Sequence, residues 1–323
     1  MKEAGGLVMN HGNKTGMDEM DASDGNQYRM DQFERNDADG AASEVRPSVG
    51  LGRLFGVSLG PGDPGLMTRA AWAALARRDA VWVYPVRSGK TPSYALAIAE
   101  RAGIEPVAEH RSLVFPMTHD AEKLARAWMN GAQAVLPWLQ AGQDVMFLVE
   151  GDASTYATFG HLARTVKTLD ARVETPILSG VNAFTAACAA VGEPVAEQDD
   201  TVAVVPAAYG VKVLDRLLPE FDTLVLMKIK PLIDDLLDWL SARELLDRAH
   251  FIERVGAPDE RKLSGQALLA LRGTKVNYLS LMIIKSHHRV RGERIKGCLK
   301  KSGAQPAQSS TADASSVVAK NFL

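Results

Sequence analysis

The feature that most constrains the fold is the stretch 55–65, which reads FGVSLGPGDPG. Its first half is an apolar run short enough for a buried strand, and its second half carries three glycines and two prolines, which end a strand in a tight loop. Asp63 followed by Pro64 is typical of a helix start, and apolar residues from Leu66 to Leu75 follow at helical spacing. The stretch therefore predicts a strand, a glycine loop and a helix.

Two motif matches in this stretch do not suit the chemistry that they usually serve. Gly60, Gly62 and Gly65 satisfy G-x-G-x-x-G, a pattern that binds a pyrophosphate through free backbone N–H groups. Here two of the positions are proline, which has no N–H, and Asp63 would repel phosphate. Ser58 lies in G-x-S-x-G but inside the predicted strand, whereas a nucleophilic serine needs the turn after a strand. The loop suits a ligand other than a polyphosphate, with a tight turn that binds nothing as the alternative.

Alternating strands and helices continue this pattern. The further elements that we predict are strands at 80–84, 144–149 and 172–177 and helices at 92–102, 120–139 and 162–166. Glycine-containing loops follow three of the strands, at 60–65, 150–159 and 178–184. Because the carboxyl ends of parallel strands meet at one edge, and open α/β sheets bind ligands there, these loops predict a shared binding edge.

The second half of the chain predicts a smaller α/β module. Its predicted elements are strands at 201–205, 223–227, 250–255 and 277–284 and a helix at 233–240. The fold class is therefore α/β, with an N-terminal domain at 51–178 and a C-terminal domain at 179–286.

The two ends of the chain differ from its middle in charge. Residues 1–50 carry ten acidic against five basic residues and few apolar ones, which predicts a disordered acidic leader. Residues 287–323 continue a basic run that begins at Lys285. Because aromatic residues are not interleaved with these bases, the segment predicts a flexible tail rather than a nucleic-acid-binding or membrane-binding element.

The composition, 46% hydrophobic and 24% charged with a net charge of −2, is typical of a soluble globular protein. No apolar run reaches the roughly 20 residues that span a bilayer, and the N-terminus lacks a signal pattern, so we expect a cytoplasmic protein. Cys188 and Cys298 are the only cysteines, and their spacing predicts neither a disulfide framework nor a metal site.

A series of short motifs runs in order through residues 54–285. It comprises GPGDPGLMT from Gly60, YPV from Tyr84, FPMT from Phe115, Trp128, GDxxxYxTF from Gly151, GVxAF from Gly180, VVPA from Val204 and LMK from Leu226. This series resembles the tetrapyrrole methylase family, and several spaced motifs are more specific than any one of them. The YPV and FPMT segments favour the members that methylate C20 of precorrin-2.

The resemblance implies two α/β domains, a mostly parallel N-terminal sheet and a smaller mixed one, with S-adenosylmethionine in the cleft between them and the tetrapyrrole in an adjacent trough. The residues that it implies as cofactor contacts are Pro61, Gly62, Gly151, Asp152, Thr155, Asn182, Ala183, Met227 and Gly256. Each of them can equally serve a turn, a helix cap or the core. The resemblance also implies a homodimer without a metal cofactor.

The implied chemistry needs no catalytic triad, because a sulfonium methyl is already activated and its transfer to carbon depends on orientation. The substrate carries many carboxylates, so we expect cations to hold it. The candidates are Lys90 and Lys228, with Arg69 and Arg87 favoured as ordinary solvated charges. Side chains that could accept the proton leaving C20, in place of solvent, are Glu150, Tyr156 and His161, and no catalytic residue is assigned.

Three positions depart from the family pattern. Ala153, Ala157 and Ser179 stand where the family usually has proline, serine and proline, and these changes predict two looser ligand loops and the loss of one hydroxyl. Two alternatives stay open. One is the same methylation on the cobalt-loaded substrate, cobalt-factor II, and the other is a non-catalytic α/β ligand-binding protein.

Overall fold

A computed structural model describes residues 50–206 and 210–287. The predicted acidic leader up to residue 49, the predicted basic tail from residue 288 and Cys298 lie outside the described residues.

The first half of the described chain forms a five-stranded parallel sheet in the order β3-β2-β4-β1-β5. Its strands are β1 (Leu54–Ser58), β2 (Val81–Val86), β3 (His110–Val114), β4 (Val145–Val149) and β5 (Ile177–Leu178). The helices between them are α1 (Arg69–Ala76), α2 (Tyr94–Arg101), α3 (Ala121–Gln140) and α4 (Phe159–Leu169).

Helices cover both faces of this sheet, which explains the continuous apolar runs of β1 and β4. Leu54 packs with apolar residues of α3 and α4 on one face, whereas Phe55 and Val57 pack with residues of α1 and α2 on the other. Successive strand residues point to opposite faces, so every residue of β1 and β4 is buried.

The second half forms a mixed five-stranded sheet in the order β6-β7-β10-β8-β9. Its strands are β6 (Val202–Pro206), β7 (Thr223–Met227), β8 (Ala249–Glu253), β9 (Arg261–Ser264) and β10 (Ser280–Lys285), and its helices are α5 (Ala183–Val191), α6 (Leu214–Leu217) and α7 (Ile233–Ser241). Only β6 and β7 pair in parallel. Among residues 50–206 and 210–287, no helix is both long and apolar enough to cross a membrane.

Several predicted elements differ from the structure. We predicted neither β3 nor β9, whose sequences are polar because each strand lies at the edge of its sheet and buries little. The strand predicted at 172–177 is reduced to β5, since Pro176 accepts a hydrogen bond from Gly56 N–H but has no N–H of its own to donate to β1. Asp63 caps a 3₁₀ turn at Pro64–Leu66, and α1 begins only at Arg69, after its cap Thr68.

Candidate functional site

The three predicted glycine loops leave the same edge of the parallel sheet, because β4, β1 and β5 are neighbours in it. We call them loop 1 (60–65), loop 2 (150–158) and loop 3 (179–182). Gly60 and Gly151 join loops 1 and 2 through two backbone hydrogen bonds of 2.7 and 3.2 Å. Both glycines have a φ near +75° (+74° and +75°), a conformation that side chains disfavour.

Gly151 borders open space. A methyl group at this position would meet no atom within 4 Å, although the glycine itself is buried against loop 1. The backbone at Gly151 therefore carries no side chain toward this open space, and a ligand can approach it closely.

Asp152 ties loop 2 to loop 3. Its carboxylate accepts hydrogen bonds from the backbone N–H of Ser154 (2.8 Å) and of Gly180 (2.7 Å), and it also accepts from the Ser154 hydroxyl. Burial acts to raise the pKa of this carboxyl, but these hydrogen bonds outweigh burial and hold the pKa below its usual value. Both Asp152 oxygens are thus directed at the protein, and Thr155 lies beside them with its hydroxyl 3.5 Å from Oδ1.

Ser58, the last residue of β1, anchors loop 2 to the sheet. Its buried hydroxyl accepts a 2.9 Å hydrogen bond from Ala153 N–H, which confirms Ser58 as a buried strand residue. A proline at position 153 would have no N–H to donate. The alanine that departs from the family pattern therefore supplies a tether to the sheet.

Loop 1 packs backbone to backbone against the segment that follows β8, which we call loop 4 (254–257). A methyl group on Gly62 would overlap the Val255 carbonyl, and one on Gly256 would lie 2.5 Å from Asp63 N. Two of the predicted cofactor contacts, Gly62 and Gly256, therefore meet each other and hold the two sheets together.

Two side chains of α2 hold the carbonyls of loop 1. The Tyr94 hydroxyl donates to the Pro61 carbonyl at 3.2 Å, and the Arg101 guanidinium donates to the Gly62 carbonyl at 2.5 Å. Arg254 of loop 4 covers the Tyr94 ring at 4.9 Å, and burial raises the pKa of the Tyr94 hydroxyl.

An apolar cluster joins loop 3 to the second sheet. Ala183 and Met227, both predicted as cofactor contacts, pack in it with Leu66 and Val255. Asn182 begins α5, yet its side chain forms no capping bond and no other hydrogen bond with a described residue. Its half-buried amide is free to bind a ligand.

Lys228 follows β7 and lies between two aromatic rings. Its Nζ is 5.8 Å from the centroid of Tyr156 and 5.9 Å from that of Tyr278, whose ring also carries Arg87 at 4.8 Å. Arg87 is exposed, as are Lys90 and Arg69, but Lys90 and Arg69 form no ring contact, hydrogen bond or ion pair with the described residues. The structure thus brings Lys228 and Arg87 together and leaves the other two predicted cations apart.

The three predicted proton acceptors lie in different settings. Burial raises the pKa of Glu150, and the charges of Arg87 and Lys228 act against that shift. The Tyr156 hydroxyl donates to the Val204 carbonyl at 3.0 Å. The His161 ring stacks on Trp128 at 4.1 Å, and burial lowers its pKa.

Sequence reasoning missed Tyr278, Tyr94 and Arg254. Tyr278 shortly precedes β10, which runs antiparallel to β7 with Leu281 opposite Met227. An antiparallel neighbour begins where its partner ends, so this pairing, once known, would have placed Tyr278 beside Lys228. No metal-binding cluster of three or more His, Cys, Asp or Glu side chains occurs in the part of the chain that the structure describes.

The model of the Tetrapyrrole (Corrin/Porphyrin) Methylases matches residues 53–268, and the chain belongs to this family. It is 31% identical to a precorrin-2 C(20)-methyltransferase from Sinorhizobium sp, over 64% of this chain and 85% of the relative. It is 29% identical to a probable cobalt-precorrin-2 C(20)-methyltransferase from Methanocaldococcus jannaschii, over 73% of this chain and 97% of the relative.

Two further comparisons concern length and fold. The chain is 31% identical to the cobalamin biosynthesis protein CobIJ of Mycobacterium tuberculosis and spans about half of it, 47%. The crystal structure of uroporphyrin-III C-methyl transferase from Thermus thermophilus, complexed with S-adenyl homocysteine, matches with a TM-score of 0.51. That match has 21% identity over 72% of this chain and 92% of the other, and it shows the shared fold.

Proposed function

We propose that this chain transfers a methyl group from S-adenosylmethionine to C20 of precorrin-2 and yields precorrin-3A. The observation that carries the proposal is the convergence of loops 1, 2 and 3 at one sheet edge, beside the pair Arg87 and Lys228. Family membership supports methyl transfer to a tetrapyrrole, and the names of the Sinorhizobium and Methanocaldococcus relatives support C20 as the position.

The proposed cofactor site spans all four loops. Contacts would come from Pro61, Gly62, Gly151, Asp152, Thr155, Asn182, Ala183, Met227 and Gly256. Gly151 offers the open approach and Asn182 a free amide, while Asp152 acts by fixing the N–H groups of Ser154 and Gly180. S-adenosylmethionine supplies an activated methyl, so the task of these residues is to orient it and to exclude water.

The substrate would lie beside the cofactor, where Lys228 and Arg87 face its carboxylates. We do not extend this role to Lys90, which the structure leaves exposed and without contacts among the described residues. In the proposed reaction the C20–methyl bond forms, the sulfonium–methyl bond breaks, and the C20 proton leaves to a base or to solvent. We further propose two domains divided near Ser179 and a homodimeric assembly.

A second candidate is the same methylation on the cobalt-loaded substrate. The Methanocaldococcus relative, which the chain matches over 97% of its length, is named for that substrate. Anaerobic incubation with S-adenosylmethionine and either precorrin-2 or its cobalt complex, followed by mass spectrometry, separates the two. One added methyl on the metal-free ring supports the first candidate, and turnover only with cobalt supports the second. No methyl on either ring would contradict both and favour a non-catalytic binding protein.

A glycine pair tests the cofactor site directly. Gly151→Ala and Gly103→Ala have the same backbone cost, because both glycines have a φ near +74° (+75° and +73°) and neither methyl would meet an atom within 4 Å. Each should lose about 1–2 kcal/mol of folding free energy. We expect only Gly151→Ala to weaken S-adenosylhomocysteine in calorimetric titration, since its methyl enters the proposed cofactor space. Equal affinities for both variants would place the cofactor elsewhere.

A further inference from the structure

Loop 1 contains a backbone N–H group that lacks an acceptor. Gly62 is buried and lies outside the helices and strands, and its N–H donates no hydrogen bond to any residue that the structure describes. In the same loop, Gly60 N–H donates to the Gly151 carbonyl at 3.2 Å, and Gly65 N–H donates to the Asp63 carboxylate at 2.8 Å. Because buried N–H groups are nearly always paired in folded proteins, the free one at Gly62 indicates a partner from outside the chain.

The direction of this N–H is set by Tyr94, the first residue of α2. The peptide unit between Pro61 and Gly62 holds both the Pro61 carbonyl and the Gly62 N–H. The Tyr94 hydroxyl donates to that carbonyl at 3.2 Å. In a trans peptide unit the carbonyl and the N–H point in opposite directions. The hydrogen bond to Tyr94 therefore turns the free N–H of Gly62 away from α2.

Two guanidinium groups hold the Tyr94 ring in place. Arg254 of loop 4 lies 4.9 Å from the ring centroid, and Arg101 at the end of α2 lies 5.9 Å from it. Arg254 is itself fixed by an ion pair of 2.7 Å with Asp259. Cation–ring contacts of this kind favour one ring position. The Tyr94 hydroxyl is therefore fixed relative to loop 1 by residues of both sheets.

The next peptide unit of loop 1 is held as well, but its N–H is covered. The Arg101 guanidinium donates to the Gly62 carbonyl at 2.5 Å. The N–H of the same unit belongs to Asp63, whose nitrogen packs so closely on Gly256 that a methyl group there would lie 2.5 Å away. Of these two peptide units, the one fixed by Tyr94 is thus the one that presents a donor.

The free N–H lies close to the proposed cofactor space. Gly62 is two residues from Gly60, which pairs with Gly151 through two backbone hydrogen bonds. Gly151 borders the open space at this edge, since a methyl group on it would meet no atom within 4 Å. A ligand in that space is therefore within reach of loop 1.

We propose that Gly62 N–H is the hydrogen-bond donor of loop 1 to S-adenosylmethionine, and that Tyr94 is the positioning residue that directs it. This inference rests on the proposed function. Tyr94 acts through the Pro61 carbonyl and does not touch the cofactor. The acceptor is an oxygen or nitrogen atom of the cofactor, because the sulfonium is positively charged. A bond made equally in the bound and the transition state lowers KM for the cofactor and leaves kcat unchanged.

The first test observes the Gly62 N–H directly in the full chain. The sequence contains two Pro–Gly pairs, 61–62 and 64–65. A chain labelled with ¹³C in its proline carbonyls and ¹⁵N in its glycines therefore gives amide–carbonyl correlation signals from Gly62 and Gly65 alone, and Gly65→Ala assigns them. We expect S-adenosylhomocysteine to move the Gly62 proton downfield. Gly65 is the internal control, because its N–H is already bound to Asp63.

The second test compares two tyrosine variants. Tyr94→Phe removes the bond to Pro61, and the matched control Tyr84→Phe removes a hydroxyl that lies 3.0 Å from His110 Nδ1. In calorimetric titration, Tyr94→Phe should weaken S-adenosylhomocysteine by about tenfold, which corresponds to about 1.4 kcal/mol. Tyr84→Phe should leave the affinity unchanged. In methyl transfer, Tyr94→Phe should raise KM for S-adenosylmethionine at unchanged kcat.

Equal affinities of Tyr94→Phe and Tyr84→Phe would overturn the role of Tyr94. Binding of S-adenosylhomocysteine with an unmoved Gly62 signal would overturn the role of the N–H, and this result needs only the wild type, so it stands even if Tyr94→Phe does not fold. Failure of the proposed function looks different, because the wild type would then bind no S-adenosylhomocysteine or transfer no methyl group.

Discussion

The contact between loop 1 and loop 4 predicts a large cost for one added methyl group. In Gly256→Ala the new methyl carbon would lie 2.5 Å from Asp63 N and 3.0 Å from Asp63 Cβ, at a φ of +74°. The conformation alone costs about 1–2 kcal/mol. The overlap is with backbone that cannot rotate away, so the two loops must separate, which costs about 1–3 kcal/mol more.

Gly192→Ala is the matched control, because Gly192 has the same φ of +74° and its methyl would meet nothing within 4 Å. Urea unfolding followed by circular dichroism should therefore show Gly256→Ala to be less stable than Gly192→Ala by about 1–3 kcal/mol. Gly62→Ala strains the same contact from the other side, so the double variant with Gly256→Ala should cost less than the sum of the two.

Equal stability of Gly256→Ala and Gly192→Ala would refute the reasoning, because it would mean that the two loops do not touch in solution. Strictly additive costs of Gly62→Ala and Gly256→Ala would contradict the claim that both methyl groups press on one contact.

The tethers of loop 2 give two further predictions. Asp152→Asn turns an amide N–H₂ toward the N–H of Ser154 or Gly180 and should cost about 1.5–3 kcal/mol of folding free energy at neutral pH. Because the pKa of Asp152 is lowered, the stabilisation by the carboxylate is lost as the pH falls below 3.8. Urea unfolding should therefore show the stabilities of wild type and variant converging in acid, whereas a constant difference would contradict the role of the carboxylate. Ser58→Ala and Ala153→Pro each break the hydrogen bond between residues 58 and 153, and each should cost about 1–3 kcal/mol of folding free energy. In a double-mutant cycle the two costs should be less than additive, and full additivity would contradict the tether.

Sequence patterns predicted the elements that bury the most apolar surface. β1 and β4 are apolar throughout because helices cover both of their faces, and such runs are visible without knowledge of the fold. β3 and β9 were not predicted, because they are edge strands and carry polar residues. The signal that identifies a strand is its burial, and an edge strand has little of it.

The candidate site likewise has a part that the sequence predicts and a part that it does not. Loops 1, 2 and 3 follow from strand ends, which are local, and their glycines meet as expected. Arg87, Lys228 and Tyr278 meet only through the pairing of β7 with β10 and the approach of one sheet to the other, which no local pattern encodes. The bond from Ala153 to Ser58 could not be predicted for a related reason, since it joins residues 95 positions apart, and the prediction of looser ligand loops stays a prediction.

The shortness of β5 has a consequence for how a ligand is held. Loop 3 is held by the two residues of β5, by the hydrogen bond from Gly180 N–H to Asp152 and by a 3.2 Å hydrogen bond from the Thr68 hydroxyl to the Ser179 carbonyl. The strands that precede loops 1 and 2, β1 and β4, have five residues each. A molecule lying across loops 1, 2 and 3 supplies the cross-links that the short strand lacks. Amide hydrogens at Leu178 to Val181 should exchange fastest along this edge in the free protein, and their exchange should slow most on ligand binding. Part of the binding free energy is then used to order loop 3.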